Sequence, residues 1–240
     1  MTVDAIIFDK DGTLIDFDAF WVSVSCKAIA GLLAELSMSE NILSEVLEAF
    51  GVRDGATDIN GVLCKGTYEE MGTIVYNILQ KHGCERSRED IVTRVISYYN
   101  ASADAGEVKP TTEGLADILR GFRAEGKRLA VVTTDNAHIT KKCLAALGIE
   151  ELFDRIYTDD GEYPTKPDPA CVYNFCELVG VQKDGVVMVG DTMTDVNFAK
   201  NAGITSIALA RTEAQRELLL PKADVVISDI SELVGLVGRV

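Results

Sequence analysis

Basic residues are in short supply. The chain has 23 lysines and arginines against 38 aspartates and glutamates, a formal net charge of -15 over 240 residues. That balance argues against nucleic acid or an anionic membrane as the main partner, since both attract basic surfaces. It leaves room for a small phosphorylated metabolite, which a few local cations and a metal would hold. Long apolar runs are missing too. No stretch approaches the roughly 18 uncharged residues that suggest a membrane span. The apolar residues 5–8 lead directly into Asp9, Lys10 and Asp11, whereas a secretory signal needs a basic start and about 7–15 apolar residues. Cys-x-x-Cys pairs are absent among the six cysteines, so free thiols and a reducing cytoplasm are expected. There is no internal repeat and no low-complexity tract.

What is present is an alternation. Residues 3–8 form a short β-branched and aromatic run, and 128–133, 185–190, 204–209 and 223–227 share its character. Ile156 and Tyr157 mark a further short strand. Near-continuous hydrophobicity over that length fits buried parallel strands. Between them, 114–125, 139–147, 170–178 and 194–202 carry apolar residues at helical spacing. Such alternation predicts an α/β fold, a Rossmann-like parallel sheet with helices on both faces. Ligands bind at the carboxyl ends of the strands in sheets of this kind. The alternation breaks between residues 17 and 99, where 21–36, 40–50, 68–82 and 88–99 read as helices, the last with Ser87 as its N-cap. The expected organisation is a core of 1–15 with 104–240 and an inserted all-helical domain over 16–103.

Four polar clusters fall at strand or loop ends. Asp9-Lys10-Asp11-Gly12-Thr13 follows the first strand. A carboxylate there is a competent nucleophile toward phosphorus, and a second one two residues on could protonate a leaving oxygen and then activate water. Gly12 permits a sharp turn. A calcium loop needs Glu at its twelfth position, and that place holds Phe20. Thr133-Thr134-Asp135-Asn136 offers hydroxyls and backbone N–H groups to a phosphate, or caps a helix. Lys166 precedes Pro167 and is held extended, either across a site or on the surface. Asp191 and Asp195 lie one helical turn apart, a spacing that turns both carboxylates toward one place, where a hard cation would relieve their repulsion.

With these four clusters in this order, the sequence resembles the haloacid dehalogenase superfamily of phosphohydrolases, in particular the phosphoglycolate-phosphatase-like branch with a helical cap. The resemblance covers nearly the whole chain. It implies a Mg2+-dependent phosphatase acting through an aspartyl-phosphate. Asp9 matches the nucleophile and a metal ligand, and Asp11 the general acid/base whose backbone carbonyl also meets the metal. Thr133 matches the phosphate-binding hydroxyl and Lys166 the cation that steadies nucleophile and phosphoryl group. Asp191 matches a metal ligand, and Asp195 the second acidic position, which binds metal through water or orients its neighbours. Gly12, Thr13, Thr134 and Asp135 complete the expected phosphate surroundings. Lys10 fills a position that varies in the family. Lys65, in a cap loop over 58–67 where such caps carry specificity, is expected to meet a second anionic group on the substrate. A sugar phosphomutase, a phosphonate hydrolase using Lys27 or Lys65 as a Schiff base, and a catalytically inactive phosphate sensor are the other readings. A true dehalogenase has no use for Asp11 as an acid. The natural substrate is not legible.

Overall fold

The computed structural model describes residues 2–104, 106–160 and 162–237. The chain divides into two compact units, Met1–Asp16 with Val108–Val240 and the intervening Phe17–Glu107. The first strand, β1 (Ala5–Phe8), opens the larger unit. The smaller unit follows in sequence, with helices α1 (Ser23–Glu35) and α2 (Ile42–Ala49), strands β2 (Val52–Arg53) and β3 (Ala56–Thr57), and helices α3 (Val62–Lys65), α4 (Tyr68–Lys81) and α5 (Arg88–Ala103). The larger unit then resumes with α6 (Leu115–Ala124), β4 (Arg128–Val132), α7 (Ala137–Ala146), β5 (Arg155–Tyr157) and α8 (Ala170–Val179). It closes with β6 (Val186–Gly190), α9 (Met193–Ala202), β7 (Thr205–Leu209), α10 (Glu213–Leu219), β8 (Val225–Ile227) and α11 (Leu233–Val237).

Six strands form one sheet in the order β5-β4-β1-β6-β7-β8, every neighbouring pair parallel. Helices cover both of its faces, as the alternation predicts. β1 sits among the central strands because its four residues are apolar on both faces, and all four are completely buried. Side chains alternate along a strand. Ala5 and Ile7 pack with Cys171, Val172 and Phe175 of α8 and with Phe198, Ala199 and Ala202 of α9. Ile6 and Phe8 take the opposite face, where the Phe8 ring meets Phe153 edge-on, centroids 6.4 Å apart. Burying side chains of this size stabilises the fold by about 1.5–3 kcal/mol each, which fixes the strand whose end carries Asp9.

The expected core strands and helices all appear, with ends shifted by a residue or two, and α10 and α11 are additional. In the smaller unit the four expected helices are present. Ser87 does cap α5, its hydroxyl accepting from the Asp90 N–H at 3.2 Å. The inserted segment is not wholly helical, however. β2 and β3 pair antiparallel around Asp54 and Gly55, whose φ angles of 51° and 79° are the two positive values of a type I′ hairpin turn. The stretch 58–67, expected as a loop, contains the single helical turn α3. Among the described residues no helix is long and apolar enough to cross a membrane.

Candidate active site

Parallel strands bring all their carboxyl ends to one edge of the sheet. β1 lies between β4 and β6, with Phe8 level with Val131 on one side and Val189 on the other. Asp9, Thr133 and Asp191 therefore emerge beside one another just beyond those three strands. The Asp9 N–H still donates to the Val189 carbonyl at 2.8 Å, which anchors its backbone to β6. α9 begins at once after Asp191 and carries Asp195 in its first turn.

Carboxylate oxygens of Asp9, Asp191 and Asp195 lie within 4.8 Å of one another, and all three residues are buried. Lys166, itself buried, donates to Asp9 Oδ1 at 2.6 Å and to Asp195 Oδ1 at 2.7 Å. The other Asp195 oxygen accepts from the Thr192 N–H at 3.0 Å and from its hydroxyl at 2.6 Å. Asp191 has lighter support, from the Thr13 hydroxyl on Oδ1 and the Gln215 amide on Oδ2, both at 3.4 Å. Two glycines make room for this packing. A Cβ on Gly12 would stand 2.2 Å from Asp191 Oδ2, and one on Gly190 would stand 2.3 Å from Asp195 Cγ. Gly12 also has φ +75°, a conformation that favours glycine.

Crowding of like charges away from water sets the electrostatics. Burial, with the Asp195 and Asp11 charges adding, pushes the Asp9 carboxyl up to about 7 despite the opposing pull of Lys166. Burial and then the Asp9 and Asp195 charges hold Asp191 well above the usual carboxylate range. Burial works against the Lys166 ammonium, but Asp195 and Asp9 more than offset it and keep it firmly protonated. A divalent cation would supply the counter-charge that such a crowded acidic group calls for. The donors are hard carboxylate oxygens, with no sulfur or imidazole in the group, which suits magnesium over zinc. The residues present fit that ion.

The remaining expected residues divide. Thr133 is buried, and its hydroxyl accepts from the Asp135 N–H at 3.2 Å. Thr134 is exposed. Asn136 caps α7, accepting from the Ile139 N–H at 2.9 Å, so the helix-cap reading of this cluster holds, and Thr133 stands directly after β4. Asp135, expected at the phosphate, is ion-paired to Lys10 at 2.9 Å. Lys10 also donates to Asp11 Oδ1 at 2.8 Å and is completely buried. Lys10, Thr192 and Gln215 reach these aspartates without a sequence signal for that contact. Thr192-x-x-Asp195 and Thr212-x-x-Gln215 are both legible as helix-start patterns, but as caps only. Lys65 belongs to the smaller unit, where it ends α3, is exposed and donates to Asn60 Oδ1 at 2.7 Å.

A model of the haloacid dehalogenase-like hydrolase family matches residues 3–203. The chain belongs to that family. Within these hydrolases it is 30% identical to a phosphoglycolate phosphatase of Aquifex aeolicus over 205 residues, spanning 85% of this chain and 83% of that one. It is 25% identical to pyrophosphatase PpaX of Halalkalibacterium halodurans over 240 residues, 99% of this chain and 98% of the relative. Among solved structures, the HAD-hydrolase YfnB of Bacillus subtilis, bound to magnesium, superimposes with a TM-score of 0.66 at 17% identity and full coverage of both chains. At that identity the likeness is one of fold.

Proposed function

We propose that this hydrolase is a magnesium-dependent phosphatase that removes phosphate from a small monoester through an aspartyl-phosphate on Asp9. The observation that carries the reading is the buried group of Asp9, Asp191 and Asp195 at the carboxyl end of the central strands, with Lys166 bridging Asp9 and Asp195. Relatives named as phosphatases and a fold neighbour named as magnesium-bound support it.

Asp9 and Asp191, with the Asp11 backbone carbonyl, would hold the cation. Bound there, magnesium would neutralise phosphate charge and let the neighbouring carboxylates ionise together. Asp195 has one oxygen on Lys166 and the other on Thr192, which suits it to orienting Lys166 over direct ligation. Lys166 fixes Asp9 through Oδ1 and places a positive charge where the transferring phosphoryl oxygens arrive. In the first step an Asp9 oxygen attacks phosphorus, the bond to the leaving oxygen breaks, and Asp11 gives that oxygen its proton. In the second, Asp11 as carboxylate takes a proton from water, whose oxygen attacks phosphorus and frees Asp9. The Thr133 hydroxyl, with Gly12 and Thr13 at the turn and Thr134 at the strand end, would hold phosphoryl oxygens.

The smaller unit would act as the cap, with Lys65 as its contact to a second anionic group on the substrate. A Schiff-base role calls for a desolvated amine, and Lys27 and Lys65 are both exposed within that unit. A panel of small phosphometabolites, assayed for inorganic phosphate with and without divalent ions, tests the reading. Release is expected only with the ion, restored by magnesium after chelation. Full activity after exhaustive chelation would overturn it.

A further inference from the structure

Lys10 is a lysine with no exposed surface, and it lies between two residues of the proposed machinery. Taking an ammonium out of water carries a penalty of several kcal/mol unless partners answer it. Here two carboxylates do, Asp11 at 2.8 Å and Asp135 at 2.9 Å. Both ends of the residue are fixed. Its carbonyl accepts from the N–H groups of Leu14 and Ile15, each at 2.9 Å. Asp135 is fixed in turn: Oδ1 accepts from the Asn136 N–H at 2.8 Å, and its own N–H donates to the Thr133 hydroxyl. A continuous chain of polar contacts thus runs from Thr133 at the end of β4 through Asp135 and Lys10 to Asp11.

We propose that Lys10 is a positioning residue, whose buried ammonium, braced by Asp135, sets the direction of the Asp11 carboxyl group for proton transfer. The proposal rests on the assignment of Asp11 as acid/base. Asp11 is partly exposed at the turn after β1, and a carboxyl group there would otherwise swing among rotamers. Holding Oδ1 fixes where the second oxygen points. Small errors in such placement are expensive: a shift of about 1 Å can slow a reaction roughly 10²-fold. The same geometry takes Asp135 from the substrate to the bracing of Lys10.

The test is a double-mutant cycle on the magnesium-loaded enzyme, using aryl phosphates whose leaving groups span a wide pKa range. Lys10→Met and Asp135→Asn are each combined with Asp11→Asn. Each single variant is expected to lower kcat/KM, which reports transfer to Asp9, by about tenfold to 10²-fold, with the largest loss on the poorest leaving groups. In the Asp11→Asn background the further loss should nearly vanish. Asp135→Asn keeps the answer available if Lys10→Met fails to fold. Equal losses in kcat/KM across leaving groups, or losses that multiply with that of Asp11→Asn, would overturn the positioning role. If Asp11→Asn alone kept wild-type turnover, the acid/base assignment itself would fail, a separate and recognisable outcome.

Discussion

Asp9 and Asp11 stand two residues apart, and each has its own buried lysine. Lys166 holds the first and Lys10 the second, so two similar side chains are fixed in different surroundings. The Asp9 environment makes a prediction about stability. Its carboxyl is pushed up from 3.8 to about 7 in the cation-free protein. The folded state therefore binds more protons than the unfolded chain between those values. The contribution of this group is fully present below about pH 4 and is lost as pH rises toward 7. Asp9→Asn removes that dependence. In thermal melts under chelation, Tm of the variant minus Tm of the wild type should grow as pH rises through that window and then level off, by about 2–4 °C for each kcal/mol relieved. A gap independent of pH would contradict the assigned environment. Gly12 makes a second prediction. Gly12→Ala forces a Cβ into the Asp191 carboxylate at an unfavourable φ, and turnover should fall about 10²-fold or more. Turnover within twofold of wild type would show that the turn tolerates displacement.

Local patterns explain the elements that were legible. β1, β4, β6 and β7 announce themselves as apolar runs because both of their faces are covered. Ser87 is readable as a cap because its hydroxyl acts on the residue three places on. Ser87→Ala should therefore destabilise the protein by about 1 kcal/mol with kcat unchanged, as chemical unfolding and a phosphatase assay would show. The β2–β3 hairpin escaped notice because each strand is two residues long, too short to show a period of two. The Asp54-Gly55 pair was the available signal. Lys10 escaped for a different reason. Its burial depends on Asp135, 125 positions away, and nothing next to it in sequence reports that contact. Gln215 is similar: its local pattern marks a helix start, while its approach to Asp191 comes from the fold.

At the scale of the molecule, the insertion leaves the sheet between β1 and α6, and the two segments that join it are paired on the core. The Asp16 N–H donates to the Lys109 carbonyl at 2.8 Å and the Thr111 N–H to the Leu14 carbonyl at 3.2 Å. The outgoing connection follows the end of β1 directly in sequence, and the returning one pairs beside it although the whole insertion separates them in sequence. The parallel sheet places four distant segments, around residues 9, 133, 166 and 191, at one edge. The order of those segments was readable from the chain, whereas their separations and the identity of the substrate were not. The proposed function rests on phosphorylation of Asp9. Rapid acid quench of the magnesium-loaded enzyme during turnover, followed by peptide mass mapping, tests it most directly, with Asp11→Asn included to slow breakdown of the intermediate. One phosphoryl group is expected on the peptide that contains Asp9, with neither label nor phosphate release in Asp9→Asn. Wild-type turnover by Asp9→Asn, or a phosphoryl group on a different residue, would contradict it.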